Sequence, residues 1–84
     1  MITAQQAWEA QHKAEGAYKL AEIEALAAVH AAQHMTSLAE WSEVYGTSEA
    51  WMVRSAKADE LDRIARGRED EAQRLYSEWA DMVR

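Results

Sequence analysis

The sequence predicts an all-α fold, a long antiparallel helical hairpin formed by one domain over residues 1–84. Proline is absent and glycine occurs three times in 84 residues, so the usual helix breakers are nearly missing. Alanine, the best helix former, occurs eighteen times. Apolar residues recur at steps of three and four through both halves, and the strongest stop signal is Gly46.

Thr3 is the expected N-cap of the first helix, because Gln6 stands three residues on to complete a capping box and Ile2 precedes it as a staple residue. The helical pattern then runs from Ala4 to Tyr45. Gly46 is expected to take the left-handed position that ends a helix, and Thr47 or Ser48 to cap a second helix with Glu49 in its first turn. That second helix extends over about residues 49–83. Ser37 and Glu40 form a further capping box, so a kink near Thr36-Ser37 is an alternative that would give a compact three-helix monomer. Gly16 and Gly67 are interior, and close helix contact is the expected reason for them.

On a helical wheel, Trp8, Leu20, Ile23, Leu26, Ala27, Leu38, Trp41, Val44 and Tyr45 share one arc of the first helix. A second stripe is made almost wholly of small residues: Ala7, Ala10, Ala14, Ala17, Ala21, Ala25, Ala28, Ala32, Met35 and Ala39. On the second helix the seam is Trp51, Arg54, Ala58, Leu61, Ala65, Arg68, Ala72, Leu75, Trp79 and Met82. Folding back at Gly46 sets Trp79 beside Ala14 and Gly16, Leu61 beside Ala32, Ala72 beside Ala21 and Ala65 beside Ala28. The alanine stripe is thus the expected seat of the second helix.

One partner helix cannot cover two stripes. The arc from Trp8 to Tyr45 would remain wet in a monomer, which soluble chains avoid over so long a strip. A homodimer in the form of an antiparallel four-helix bundle is therefore expected, with Trp8, Leu20, Ile23, Leu26, Leu38 and Val44 at its interface. Arg68 interrupts the apolar seam opposite Glu22 and Glu24, and the Arg68–Glu24 pair is expected to fix register.

Composition removes several classes of function. Without cysteine there is no disulfide, thiolate zinc site or Cys nucleophile. A net charge of −6 disfavours sequence-blind binding to nucleic-acid phosphates, and the acidic polar faces disfavour a membrane-surface helix. The N-terminal residues have neither the basic start nor the apolar centre of a signal peptide, so a cytoplasmic location is expected. No serine or threonine can be placed with a base and an orienting acid, and no Gly-rich phosphate loop is present. Arg outnumbers Lys six to three, a composition that suits a GC-rich bacterial genome or its phage.

Two elements could hold metal. His30 and His34 have the i, i+4 spacing that sets two imidazoles on one helical face, although the Glu of a zincin helix is missing between them. Packing, with a hydrogen bond to Asp59 or Glu60 across the hairpin, is the competing role. Glu9-Ala10-Gln11-His12 is a Glu-x-x-His element of the kind found in helical di-iron sites. The stretch from Glu60 through Trp79 resembles the two-helix encapsulated ferritins, which implies an iron site assembled across a dimer. It departs from that pattern because Arg74, not histidine, follows Glu71 by three residues.

Four Trp and three Tyr occur with no Phe, and Trp41, Tyr45, Trp51 and Met52 gather around the turn. Such amphipathic rings are favoured where proteins bind one another. Trp41 taken alone is expected to close the end of the bundle. Trp51 and Met52 lie on neighbouring sides of the second helix, so at least one should face a partner. The sequence therefore reads as an acidic, non-enzymatic interaction module without a cofactor, a regulator, inhibitor or assembly factor that binds a protein partner as a homodimer. The alternative is a metal-binding helical protein using Glu9, His12, His30 and His34.

Overall fold

The computed structural model describes residues 2–84, and its regular structure there consists of two helices, α1 over Ala4–Tyr45 and α2 over Ser48–Val83. A helix of 42 residues at 1.5 Å per residue is about 63 Å long. The molecule measures 64 × 15 × 13 Å, so it is a rod one helix long and two helices wide. Among the described residues no helix is long and apolar enough to cross a membrane.

Local chemistry sets the ends. The Thr3 hydroxyl accepts from the Gln6 amide at 3.1 Å and the Gln6 side chain accepts from the Thr3 amide at 3.0 Å, a complete capping box. Thr47 caps α2 by accepting from the Ala50 amide at 3.1 Å, and Glu49 sits in the first turn, where its charge suits the helix dipole. α1 does not break at Thr36-Ser37. Both hydroxyls instead donate to carbonyls one turn back, Thr36 to Ala32 at 3.0 Å and Ser37 to Gln33 at 3.1 Å, and so are not used as caps.

Gly46 corrects one expectation. Its backbone is extended, with φ −103° and ψ −162°, rather than left-handed. Glycine is needed there for room: a Cβ would stand 2.9 Å from the Ser42 carbonyl oxygen and 3.0 Å from its Cα. The Gly46 amide donates to that same carbonyl at 3.0 Å, and this closes the helix end.

The core is made of alanine. Tyr18, Ala25, Ala32 and Ala39 repeat every seventh residue on α1, as do Ala58, Ala65 and Ala72 on α2, and all are buried. A strict seven-residue repeat winds two helices around each other left-handedly, and methyl side chains let the backbones come close. Ala21 joins Ala25 and Ala72 in a cluster flanked by Leu75. Each buried methyl contributes on the order of 1 kcal/mol, so the core is thin for a rod of this length.

Toward the free ends the seat differs from the expected alanine stripe. Ala7, Ala10 and Ala17 are exposed, and Tyr18 takes the buried place, its ring edge-on to Tyr76 with centroids 5.4 Å apart. Trp79 packs on Tyr18 at 4.9 Å and not on Gly16, which corrects that expected pairing. Gly16 and Gly67 are not points of close approach within the hairpin, because a Cβ at either would meet nothing within 4 Å. The Gln11 side chain donates to the Met82 carbonyl at 3.0 Å and ties down the end of α2.

Candidate functional site

The same repeat that seats α2 decides what α1 turns outward. With Ala25, Ala32 and Ala39 facing α2, residues half a turn away lie on the far side of the wheel. Trp8, Leu20, Ile23, Leu26, Trp41, Val44 and Tyr45 are there, each more than half exposed. Leu38, at the edge of the arc, is half-buried. From Ala25 to Ala39 α1 carries no Asp, Glu, Lys or Arg, so the outer side is free of those charges for four turns, with Leu26 and Ala27 followed by His30, His34 and Ser37.

His30 and His34 lie within this outer strip, both exposed and one turn apart. Their placement corrects the cross-hairpin role, because Asp59 and Glu60 belong to the helix on the opposite side of α1. Among the described residues neither imidazole makes a hydrogen bond or an ion pair with another side chain.

His12 has a different setting. Its ring lies against Trp8 with centroids 4.0 Å apart, and Nδ1 stands 3.7 Å from Glu15. Glu15 is shared with Lys19 at 2.8 Å, and that bond holds the Glu15 carboxyl below its ordinary range. Glu9 accepts from the Gln5 side chain at 3.3 Å instead of converging with His12. On α2, Arg74 donates to Glu71 through Nε at 3.0 Å and to Glu78 at 2.6 Å. The Glu71 carboxylate is thereby occupied, and its pKa is lowered by the arginine. No group of three or more metal-ligating side chains forms among the described residues.

At the turn, Trp41 and Tyr45 pack ring on ring at 5.7 Å. Trp41 does not close the end of the hairpin: it lies 55% exposed on the outer arc, while Trp51 is 39% and Met52 62% exposed. The end is closed by a polar contact that the pattern of apolar residues did not reveal. Ser42, 1% exposed, donates to the Leu38 carbonyl at 2.8 Å and accepts from Arg54 Nη1 at 2.6 Å. The signal for it was Arg54 in the α2 seam, a charged group that needs an acceptor on the facing helix.

Arg68 and Glu24 meet at 3.0 Å, but both side chains are about half exposed, so the pair lies on the rim of the helix–helix contact and not inside it. Compared with known protein families, with curated proteins and with solved structures, the chain matches none.

Proposed function

We propose that the chain is a cytoplasmic, non-enzymatic interaction protein that works as a homodimer, with the outer arc of α1 packed on the same arc of a second copy to make a four-helix bundle. The observation that carries this reading is the set of large apolar side chains from Leu20 to Tyr45 that α2 leaves uncovered, on a side of α1 free of Asp, Glu, Lys and Arg from Ala25 to Ala39. A compact monomer of 9.5 kDa would expose about 5,000 Å² by the usual scaling of surface with mass. The hairpin exposes 6481 Å². Rod shape and uncovered face both contribute to the difference, and side-by-side packing of two rods reduces both. A stable interface buries about 1,200–2,000 Å² in total, and the strip along α1 is long enough to supply it. A second copy also adds the apolar burial that a thin alanine core lacks.

In this arrangement Trp41 belongs to the dimer seam, and Tyr45, Trp51 and Met52 remain at the turn as the docking end for a protein partner. The acidic balance of the surface suits a partner with a basic face. Sedimentation equilibrium tests the dimer: the mass should be twice the 9.5 kDa chain mass at micromolar concentration. Ile23→Glu should return it to the single-chain mass, because a charge on the seam is left without a partner. A single-chain mass for the unaltered protein at high concentration would overturn the reading.

A further inference from the structure

We infer that His30 and His34 are half of a divalent transition-metal site that is completed by the same two residues of a second copy, an inference that rests on the dimer proposed above. The outer positions of α1 from Leu20 to Val44 step by three and four, the spacing of a coiled-coil seam: Leu20, Ile23 and Ala27 at one end, Trp41 and Val44 at the other, and the polar residues His30, His34 and Ser37 between them. Such a seam pairs with an antiparallel copy of itself about a two-fold axis. With the axis at the level of Ala32, Leu20 of one copy lies opposite Val44 of the other, Ile23 opposite Trp41, and His30 opposite His34. Large residues then meet large ones at both ends, and four imidazoles share the middle. The layer between is Ala27 against Ser37, and these small side chains allow the helices to come close.

The chemistry of that middle layer is restrictive. Polar groups in a seam need partners once water is excluded. Here α1 offers no carboxylate between Ala25 and Ala39, and α2 lies on the opposite side of α1. A cation takes the lone pair of all four rings at once, and each ring's remaining N–H is left to donate to water at the edge of the seam. Imidazole nitrogen suits zinc, copper and nickel, and zinc takes four such donors tetrahedrally at about 2.0–2.1 Å. A single chain supplies only two ligands at this point, His30 and His34. The site differs from a ferritin-like one in every donor: it uses no carboxylate, and it leaves out Glu9 and His12.

The test is zinc titration by calorimetry on the full chain stripped with EDTA, with mass measured by sedimentation equilibrium before and after. The expected result is one zinc per two chains, and a dimer mass that persists or tightens with metal. His30→Ala combined with His34→Ala should weaken zinc binding at least about 100-fold, beyond what changes to the groups behind a metal ligand usually cost. His12→Ala should leave the titration unchanged. A dimer in EDTA that binds zinc no better than its doubly substituted variant would overturn the metal site and leave the dimer standing. One zinc per chain with no change in mass would overturn the shared site. A monomer in EDTA that becomes a dimer with zinc supports the site and overturns a metal-independent dimer. A monomer under both conditions overturns the two together.

Discussion

The sides that the two helices turn away from each other are built differently. The exposed surface of α2 is laced with charge: Asp62, at the edge of the groove against α1, pairs with Arg66 at 2.9 Å, Arg74 with Glu78 at 2.6 Å, and Lys57 with Glu60 at 3.3 Å. Each is an exposed pair one turn apart, worth a few tenths of a kcal/mol, and together they make a face suited to water. The outer side of α1 has one such pair, Glu15 with Lys19 at 2.8 Å near its start, and from Leu20 onward carries Leu, Ile, Trp and Val instead. α2 is therefore complete as half of a hairpin, while α1 has two seams back to back. The difference teaches that burial inside one chain, and not hydrophobicity of a stripe, marks the intramolecular seat here: α2 sits on the alanine side and the larger residues are left over.

Replacing alanine by leucine on each side of α1 and α2 should break the comparison most sharply. Ala65, 2% exposed, has no room for three further carbons between close backbones. Ala65→Leu should cost about 1–3 kcal/mol or more, the range for overpacking a filled core. Ala27 lies on the open side of α1, and Ala27→Leu should leave the hairpin's own helix content and folding unharmed. Chemical denaturation of the two variants provides the measurement. Equal destabilisation would show that both sides of α1 are filled.

Much of this architecture was legible in the sequence, because helix ends are set by local chemistry. Thr3, Gln6, Gly46 and Thr47 act within a few residues of themselves, and the helix bounds follow from them. The seat of α2 was legible as a class of residue but not in its full course. A stripe drawn by alternating steps passes through Ala14 and Ala17, whereas a seven-residue repeat counted back from Ala39 reaches Tyr18. The difference is the small drift between a straight helix and one that supercoils, which only the packed pair reveals. Ser42 and Arg54 escaped for another reason: a serine in a helix has no periodic signature, and its hydrogen bond depends on which helix faces it. The outer arc was legible except at its edge, where Leu38 is half-buried, since a residue on the far side of the wheel from one seam is exposed whatever the details of that seam.

Glycine gives a smaller and finer probe of the two outer sides. Gly67 of α2 and Gly16 of α1 are both exposed and both open to a Cβ. In the hairpin alone, alanine at either should raise stability by about 0.5–1 kcal/mol through helix propensity. Gly16, however, lies on the outer arc, one turn from His12 and one turn from Leu20. Thermal melts at several protein concentrations should show the full gain for Gly67→Ala throughout. With the two-fold axis at Ala32, Gly16 falls opposite Ser48 at the edge of the interface, so the gain for Gly16→Ala should shrink only slightly as concentration rises. Identical behaviour of the two variants would place Gly16 outside the interface.

The smallest expected effect concerns the charge lattice itself, compared between helices. Lys19 holds Glu15 on α1, and Arg74 holds Glu71 on α2, below the ordinary glutamate value of 4.5, in each case mainly through a side-chain hydrogen bond. A carboxyl depressed in the folded state binds its proton more readily when unfolded. Its stabilising contribution is therefore complete above about pH 4.5, the unfolded value, and fades as the pH falls through the lower folded value. Glu71 is about half exposed and Glu15 about a third exposed, so the slope should be slight and should flatten further in high salt. Glu71→Gln and Glu15→Gln should each remove part of the acid-side loss of thermal midpoint, and by similar amounts, since both pairs are surface pairs whichever helix carries them. A much larger effect at Glu15 than at Glu71 would mean that the α1 pair is shielded from water in the assembled protein, next to Trp8 and His12 at the end of the outer arc. The pH series would then trace the interface along α1 independently of any apolar substitution.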